Sequence, residues 1–126
     1  MKIQLKRLHQ KDLFSLTSIV SKDIAESAYI EWPFDKQVAS KFICDFNTWG
    51  IWLNGSILAG AVEIKPSMET AYFVADIYQG QGIATEAVKQ CIVQFSDSQL
   101  WCVINPDNVA SQRVAQKAGL RVQYIR

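Results

Sequence analysis

The apolar pattern of this chain changes period at two glycines, Gly80 and Gly82. Ahead of them, residues 49–53 and 57–64 are apolar runs joined across Asn54-Gly55. Asn-Gly between such runs is the strongest short-range signal for a β-hairpin, because both residues tolerate the positive φ of a tight turn. Pro66-Ser67 is a second turn, and residues 69–76 supply a third strand, completing an antiparallel meander. Behind the glycines, Ala84, Ala87, Val88, Cys91, Ile92 and Phe95 fall on one face at a period of 3.6, which predicts an amphipathic helix over 83–96. A meander that hands over to a helix excludes both an all-helical bundle and an all-β sandwich.

The flanks agree. Residues 3–8 alternate apolar and polar, the mark of a half-buried strand. Leu13, Leu16 and Val20 recur at helical spacing behind Asp12, predicting a first helix over 10–21. Residues 22–34 are mixed and aromatic. Asp35 is placed to cap a second helix bearing the stripe Val38, Phe42, Phe46. Residues 100–104 are apolar without alternation and read as a strand buried on both faces. Asn105-Pro106-Asp107-Asn108 breaks that strand. Ala110, Val114 and Ala118 then mark a helix over 108–118, closed by Lys117 and Gly119. Residues 120–125 alternate as a final strand. The order is strand, two helices, three antiparallel strands, helix, strand, helix, strand. This is an α/β chain with a mixed sheet, a meander first and a βαβα crossover after it.

Composition narrows the function. The 126 residues suit one domain, 1–126, whose core needs no disulfides. Thirteen basic and twelve acidic residues are interleaved for a net charge of +1, which gives nucleic acid little to bind. No apolar stretch approaches the roughly 18 residues of a membrane helix. The first seven residues lack the apolar run of a signal peptide. Three widely spaced cysteines, Cys44, Cys91 and Cys102, fit reduced thiols and a cytoplasmic protein. His9 is the only histidine and no paired-cysteine spacing occurs, so no metal is expected.

The chemistry concentrates in Tyr78-Gln79-Gly80-Gln81-Gly82-Ile83-Ala84-Thr85-Glu86. Glycines at a strand-to-helix junction permit positive φ and close backbone approach. The helix behind them offers unpaired N–H groups and the positive end of its dipole, a site for phosphate or pyrophosphate. The alternative is a glycine-rich turn with no ligand. A P-loop is excluded because Gly-Lys-Ser/Thr is absent. A dinucleotide fingerprint is excluded because Thr85 stands where a third small residue is required and a meander precedes the loop.

Gln79-Gly80-Gln81-Gly82-Ile83-Ala84 resembles motif A of the GNAT acetyltransferases, Gln/Arg-x-x-Gly-x-Gly/Ala. Glu69-Thr70-Ala71-Tyr72 looks like the Glu-x-Gly-Tyr of many members. The stretch from Asn108 through Ser111 and Lys117 to Gly119-Leu120 looks like the family's Asn-x-x-Ser-x-x-x-x-x-Lys-x-Gly-Phe. The resemblance covers nearly the whole chain and is most specific over 69–120. The branch it looks most like acetylates the N-terminal amines of ribosomal proteins.

The resemblance implies an enzyme that moves an acetyl group from acetyl-CoA to a primary amine by direct attack. The cofactor pyrophosphate would rest on the amides of Gln79, Gly80, Gln81, Gly82, Ile83 and Ala84, with Thr85 beside them. The pantetheine arm would pair with the strand end at Phe73, Val74 and Ala75, where a bulge splays the fourth and fifth strands apart. Asn108 would hydrogen-bond that arm and also suits an N-cap. Ser111 either faces the cofactor or is an exposed first-turn serine. The N–H near Val74 would stabilise the tetrahedral oxyanion. Tyr72, Glu63 and Trp32 fall where the family shapes the acceptor side. Trp49, Trp52 and Trp101 read as core or sheet-face residues. The second reading of the same features is an acyl-CoA-binding or regulatory module with little turnover.

A base is needed to the extent that the amine is protonated. Neutralising a lysine amine at pH 7 costs about 4.6 kcal/mol, and an α-amine about 1.1. Glu69 is the first candidate, Glu63 the second, each through water or else a solvated strand carboxylate. The tyrosine that many members carry in the helix after the fifth strand is replaced by Val114-Ala115. The family also has a seventh strand between its fifth and sixth. With six residues after Leu120, the expectation is an open slot there. A trimmed chain, a homodimer that completes the sheet and a degenerate remnant are the three explanations.

Overall fold

The computed structural model describes residues 1–45 and 47–124. The chain runs β1 (Ile3–Arg7), a 3-10 turn (Gln10–Asp12), α1 (Leu13–Ile19), α2 (Lys22–Ala28), α3 (Lys36–Asp45), β2 (Asn47–Leu53), β3 (Ile57–Ile64) and β4 (Thr70–Val74). A second 3-10 turn (Asp76–Tyr78) leads to α4 (Ile83–Gln94), β5 (Trp101–Ile104), α5 (Val109–Ala118) and β6 (Arg121–Tyr124). Strands β1 to β4 form one antiparallel sheet in chain order, and β5 pairs with β6. Asn54 and Gly55 take φ of 52° and 84°, the positive values the hairpin requires.

Each face of the four-stranded sheet carries its own core. Ile51, Val62 and Val74 pack with Ile83, Ala87 and Val88 of α4, with Cys102 of β5 and with Ala115 of α5. On the other face Leu58, Ala61 and Phe73 meet Leu16, Ile24, Phe34 and Ile43 from the first three helices. Neighbours on β4 therefore face opposite ways, Tyr72 and Val74 toward α4 and α5, Phe73 toward α1 to α3.

Five expectations need correction. The helix expected over 10–21 is a 3-10 turn and a short α1, and the stretch 22–34 contains α2. Ser21 caps α2, its Oγ accepting from Ile24 N at 3.1 Å, and Tyr29 ends it at φ 57°. Two turns of helix with only Ile24 and Ala25 fully buried carry too little periodicity to read from sequence. The bulge lies in β3 rather than β4. Ile51 pairs with Gly60 and Trp52 with Leu58, which leaves Ala59 over, while β4 stays in register from Thr70 to Val74. The extra residue flips the alternation, so Leu58 and Ala61 share one face and Ala59 and Val62 the other. The third meander strand stops at Val74, because the chain turns into the 3-10 segment at Asp76.

The last two corrections concern the far end of the sheet. Strand β5 is not buried on both faces: Cys102 and Ile104 are buried, and Trp101 and Val103 only partly so. The slot expected beside β5 is absent, because β6 pairs with it directly and in parallel, Trp101 opposite Arg121 through Ile104 opposite Tyr124. Helix α5 carries the chain back along β5, and burial of Leu120 delivers β6 to its edge. Among the described residues the outer edges of β1 and β6 have no strand partner. Asp35 caps α3 as expected, its Oδ1 accepting from Val38 N at 2.9 Å. Phe46 of the expected stripe and Ile125 of the expected last strand lie outside the described residues. The three named tryptophans are half-buried sheet-face residues, with Trp49 edge-on to Phe95 at 6.3 Å.

Candidate functional site

Strands β4 and β5 touch at one point. Glu69 and Trp101 form an isolated parallel bridge, and Trp101 N donates to Met68 O at 3.3 Å. Beyond it the strands diverge. The backbone groups of β4 divide by parity: Lys65 N donates to Glu69 O and Ala75 N to Ala59 O, so the odd positions face β3. The N–H and C=O of Tyr72 and Val74 therefore turn toward the opening. Gln79 Nε2 donates to Val74 O at 3.0 Å and ties the loop to the end of β4. The N–H of Val74 stays available.

The opening is a cleft of about 570 Å³. One wall is Tyr72, Phe73 and Val74 of β4; another is Gln79, Gly80 and Gly82 with Ile83, Ala84 and Thr85 of α4. Gly80 and Gly82 take φ of 79° and 77°, and Gly82 is the N-cap of α4. No side chain caps that helix, so its first amides have no intrachain acceptor. Helix α5 is built differently: Asn108 Oδ1 accepts from Ser111 N at 3.2 Å and closes the helix end. Asn108 and Ser111 both line the cleft.

The Tyr72 hydroxyl crosses from β4 to α5 and donates to Ser111 O at 3.0 Å. Burial, reinforced by the neighbouring Cys102 sulfur, holds it far above the usual phenol range, so it stays protonated. Burial pushes Cys91 up to about 12. Burial, with the Glu69 carboxylate nearby, pushes Cys102 up to about 11. Neither thiol is a nucleophile at neutral pH.

Other expected residues stand apart. Ala75 is buried, its N–H taken by Ala59 O, and it is not on the cleft wall. Gln81 is exposed at the lip of the loop. Trp32 is 46% exposed and lines neither the cleft nor the pocket that holds Glu63. Glu69 sits at the far end of β4, ion-paired with Lys65 at 3.4 Å. An extended strand puts it about 17 Å from Val74. A general base must reach its proton directly or through one water, so Glu69 is not placed for that role. Glu63 lies in a second pocket of about 170 Å³ with Glu31, Lys41 and Lys65. Phe73 and Ala28 line both cavities, so Phe73 divides them.

Sequence reasoning missed Asp23 and Ser27 of α2, which was not foreseen as a helix, and Arg113 on α5. It took Lys117 as a helix-end charge and as part of the family pattern, without placing it on the cleft. Spacing held the signal for the last two: Ala110, Arg113, Val114 and Lys117 recur at three to four residues and share the cleft-facing side of α5.

Solved structures with this architecture are known. A GNAT-family acetyltransferase from Bacillus anthracis superposes with a TM-score of 0.79 at 21% identity, over 96% of this chain and 81% of that one. The microcin C7 self-immunity acetyltransferase MccE, solved with acetyl-CoA and AMP, gives a TM-score of 0.73 at 20% identity, over 93% of this chain and 77% of that one. A ribosomal-protein-alanine N-acetyltransferase from Brucella melitensis gives 0.62 at 15%, over 91% and 89%. Among the curated proteins nothing matches. The model of the acetyltransferase (GNAT) domain matches residues 2–121, nearly all of the sequence, and the chain belongs to that family.

Proposed function

We propose that the chain transfers the acetyl group of acetyl-CoA to a primary amine. The observation that carries this reading is the uncapped start of α4 facing the same cleft as the free edge of β4. In this reading the amides behind Gly80 and Gly82 bind the pyrophosphate, where donors and helix dipole act together. The pantetheine arm runs along β4 past Asn108, whose amide nitrogen is free to donate while its oxygen caps α5. The Val74 N–H meets the thioester oxygen and stabilises the charge that develops there. The amine attacks the carbonyl carbon, the C–S bond breaks, the thiolate leaves, and the amine proton passes to solvent.

With Glu69 remote, the reading favours an acceptor that is neutral without strong assistance: an α-amine, at a protein N-terminus or on a small molecule. The likeness to the Brucella melitensis enzyme supports a protein N-terminus. Glu63, beyond Phe73, belongs to the acceptor side in this reading. The second reading, an acyl-CoA-binding module with little turnover, draws on that remote carboxylate and on Val114-Ala115 in α5.

Calorimetric titration of acetyl-CoA into the protein and into Gly82→Trp tests the cofactor site. Micromolar binding lost in the variant is the expected result; no binding by the folded protein overturns both readings. Release of free CoA thiol with a panel of α-amines and lysine peptides then separates transfer from binding alone. Comparable rates on both amine classes would remove the α-amine preference.

A further inference from the structure

The second pocket adjoins the cleft on the face of the sheet covered by α1 to α3. Its volume is about 170 Å³, well under the roughly 300 Å³ at which whole-ligand pockets begin, so it suits a single side chain. Ile30, Val38 and Phe42 give it an apolar wall, continuous with the core under those helices. Phe42 stands edge-on to Phe34 at 5.9 Å and tilted to Phe73 at 6.5 Å. That stack holds in place the ring that divides pocket from cleft.

The opposite wall is charged, with Glu31, Glu63, Lys41 and Lys65. Glu69 answers Lys65 at 3.4 Å. Two carboxylates then stand against the single ammonium of Lys41, an excess of one negative charge. Strand register sets the distance to the reacting centre. Glu63 lies opposite Ala71 and Gly60 opposite Val74, so three residues, about 10 Å, separate Glu63 from Val74 along the sheet. A long side chain that leaves an acceptor's α-carbon beside Val74 and lies over Phe73 ends at the carboxylates. A wholly apolar side chain would strip water from them without replacing it, and an acidic one would be repelled. An aliphatic stem with a cationic head matches both walls.

We propose that this pocket takes the acceptor's own side chain and selects one that is aliphatic and ends in a cation, as on an arginine or lysine whose α-amine is acetylated. This deepens the acetyl-transfer reading above and rests on it. Glu31 and Glu63 set specificity by binding the side chain. The transfer itself is unaltered: the amine nitrogen bonds to the acetyl carbon, the C–S bond breaks, and the amine proton passes to solvent.

The test follows release of CoA thiol from acetyl-CoA with three tripeptide amides, Arg-Ala-Ala, norleucine-Ala-Ala and Glu-Ala-Ala. Arginine is the probe because its guanidinium stays charged and is no acceptor. Its kcat/KM should exceed that of norleucine at least about tenfold, the scale of one hydrogen bond to a charged group, with the glutamate peptide slowest. In the double variant Glu31→Gln, Glu63→Gln the preference for arginine over norleucine should fall to within about twofold, the loss falling on the arginine peptide. Lys41→Gln removes the opposing charge and should widen the preference, which a general loss of structure would not do. Argininamide and norleucinamide repeat the comparison without a peptide. A preference for arginine in either series supports the pocket, and the faster series tells a chain terminus from a small molecule. Circular dichroism verifies that each variant is folded. Equal rates on arginine and norleucine in both series overturn the pocket and leave acetyl transfer intact. A double variant that slows every peptide equally and keeps the preference also overturns it. Transfer to none of these amines, by protein that binds acetyl-CoA, overturns the acetyl-transfer reading and the pocket with it.

Discussion

Tyr72 on β4 and Ser111 on α5 are joined by a hydrogen bond of 3.0 Å that spans the gap where the sheet parts. It ties the outer strand of the meander to the helix that follows β5, across the cleft and away from the single bridge at Glu69 and Trp101. The donor is a buried phenol held in its protonated form. The acceptor is a helix carbonyl that also has its own helical partner one turn on.

Removing the hydroxyl with Tyr72→Phe should therefore cost about 1 kcal/mol of stability, because the Ser111 carbonyl is not left unpaired. Urea unfolding measures this. If the clasp also sets the width of the cleft, the dissociation constant for acetyl-CoA should rise in the same variant. A stability loss with unaltered affinity would confine the bond to a structural role.

Asn108 offers a way to separate capping from binding. Asn108→Asp keeps a good N-cap, so stability should stay within about 0.5 kcal/mol of the parent. It exchanges the free amide donor for a carboxylate oxygen, and acetyl-CoA affinity should drop roughly tenfold, the worth of one hydrogen bond of about 1.4 kcal/mol. Asn108→Ala should lose both, with about 1 kcal/mol less stability.

The glycines of β3 and of the loop should respond differently to alanine. A Cβ on Gly60 would run into the carbonyl of Phe73 and press on the Cα of Val74, where β3 and β4 lie closest. Gly60→Ala should lose several kcal/mol, above the roughly 1–3 kcal/mol of ordinary overpacking, because backbone has no rotamer to move to. A Cβ on Gly82 meets nothing within 4 Å, so only its φ of 77° opposes the change. Gly82→Ala should cost about 1–2 kcal/mol. Thermal or urea denaturation ranks the two, and Gly82 the more costly would contradict the packing described.

Stability should decline at high pH. Cys91 and Cys102 ordinarily titrate near 9, and in the folded protein at about 12 and about 11. Between those values the unfolded chain has released thiol protons that the folded chain retains. The unfolded state then binds fewer protons, and the free energy of unfolding falls as pH rises from about 9 toward 12. Tyr72, raised in the same direction, adds to the trend at its upper end. The total is on the order of a few kcal/mol. Urea titrations at pH 8, 9, 10 and 11 give the slope. Cys91→Ala, although it also leaves a small cavity, should flatten that slope.

What sequence made legible was whatever local backbone physics decides. The hairpin at Asn54-Gly55, the period change after Gly82, the cap at Asp35 and the cap at Asn108 each depend on a few adjacent residues. Their φ preferences and side-chain reach are set by covalent geometry. The loop that faces the cleft was therefore readable from its residues. Helix α2 was not, because two turns with a thin apolar stripe take their stability from packing under the sheet rather than from the segment itself.

Tertiary structure decided the rest. Residues 57–62 form one unbroken apolar run that gives no sign of a change of face, yet one residue left out of the pairing with β2 flips the faces of β3. Glu69, just ahead of β4, and Val74, at its end, looked like partners in one site. The extended rise of that strand separates them, and Lys65 takes the carboxylate instead. The direct pairing of β6 with β5, the reach of Tyr72 to α5 and the turning of Arg113 and Lys117 into one cavity all join residues distant in the chain. Such contacts follow from how whole elements pack, and no short window of sequence encodes them. The chain by itself determined its glycine loop and every element but α2; only the folded arrangement determined which side chains share the cleft.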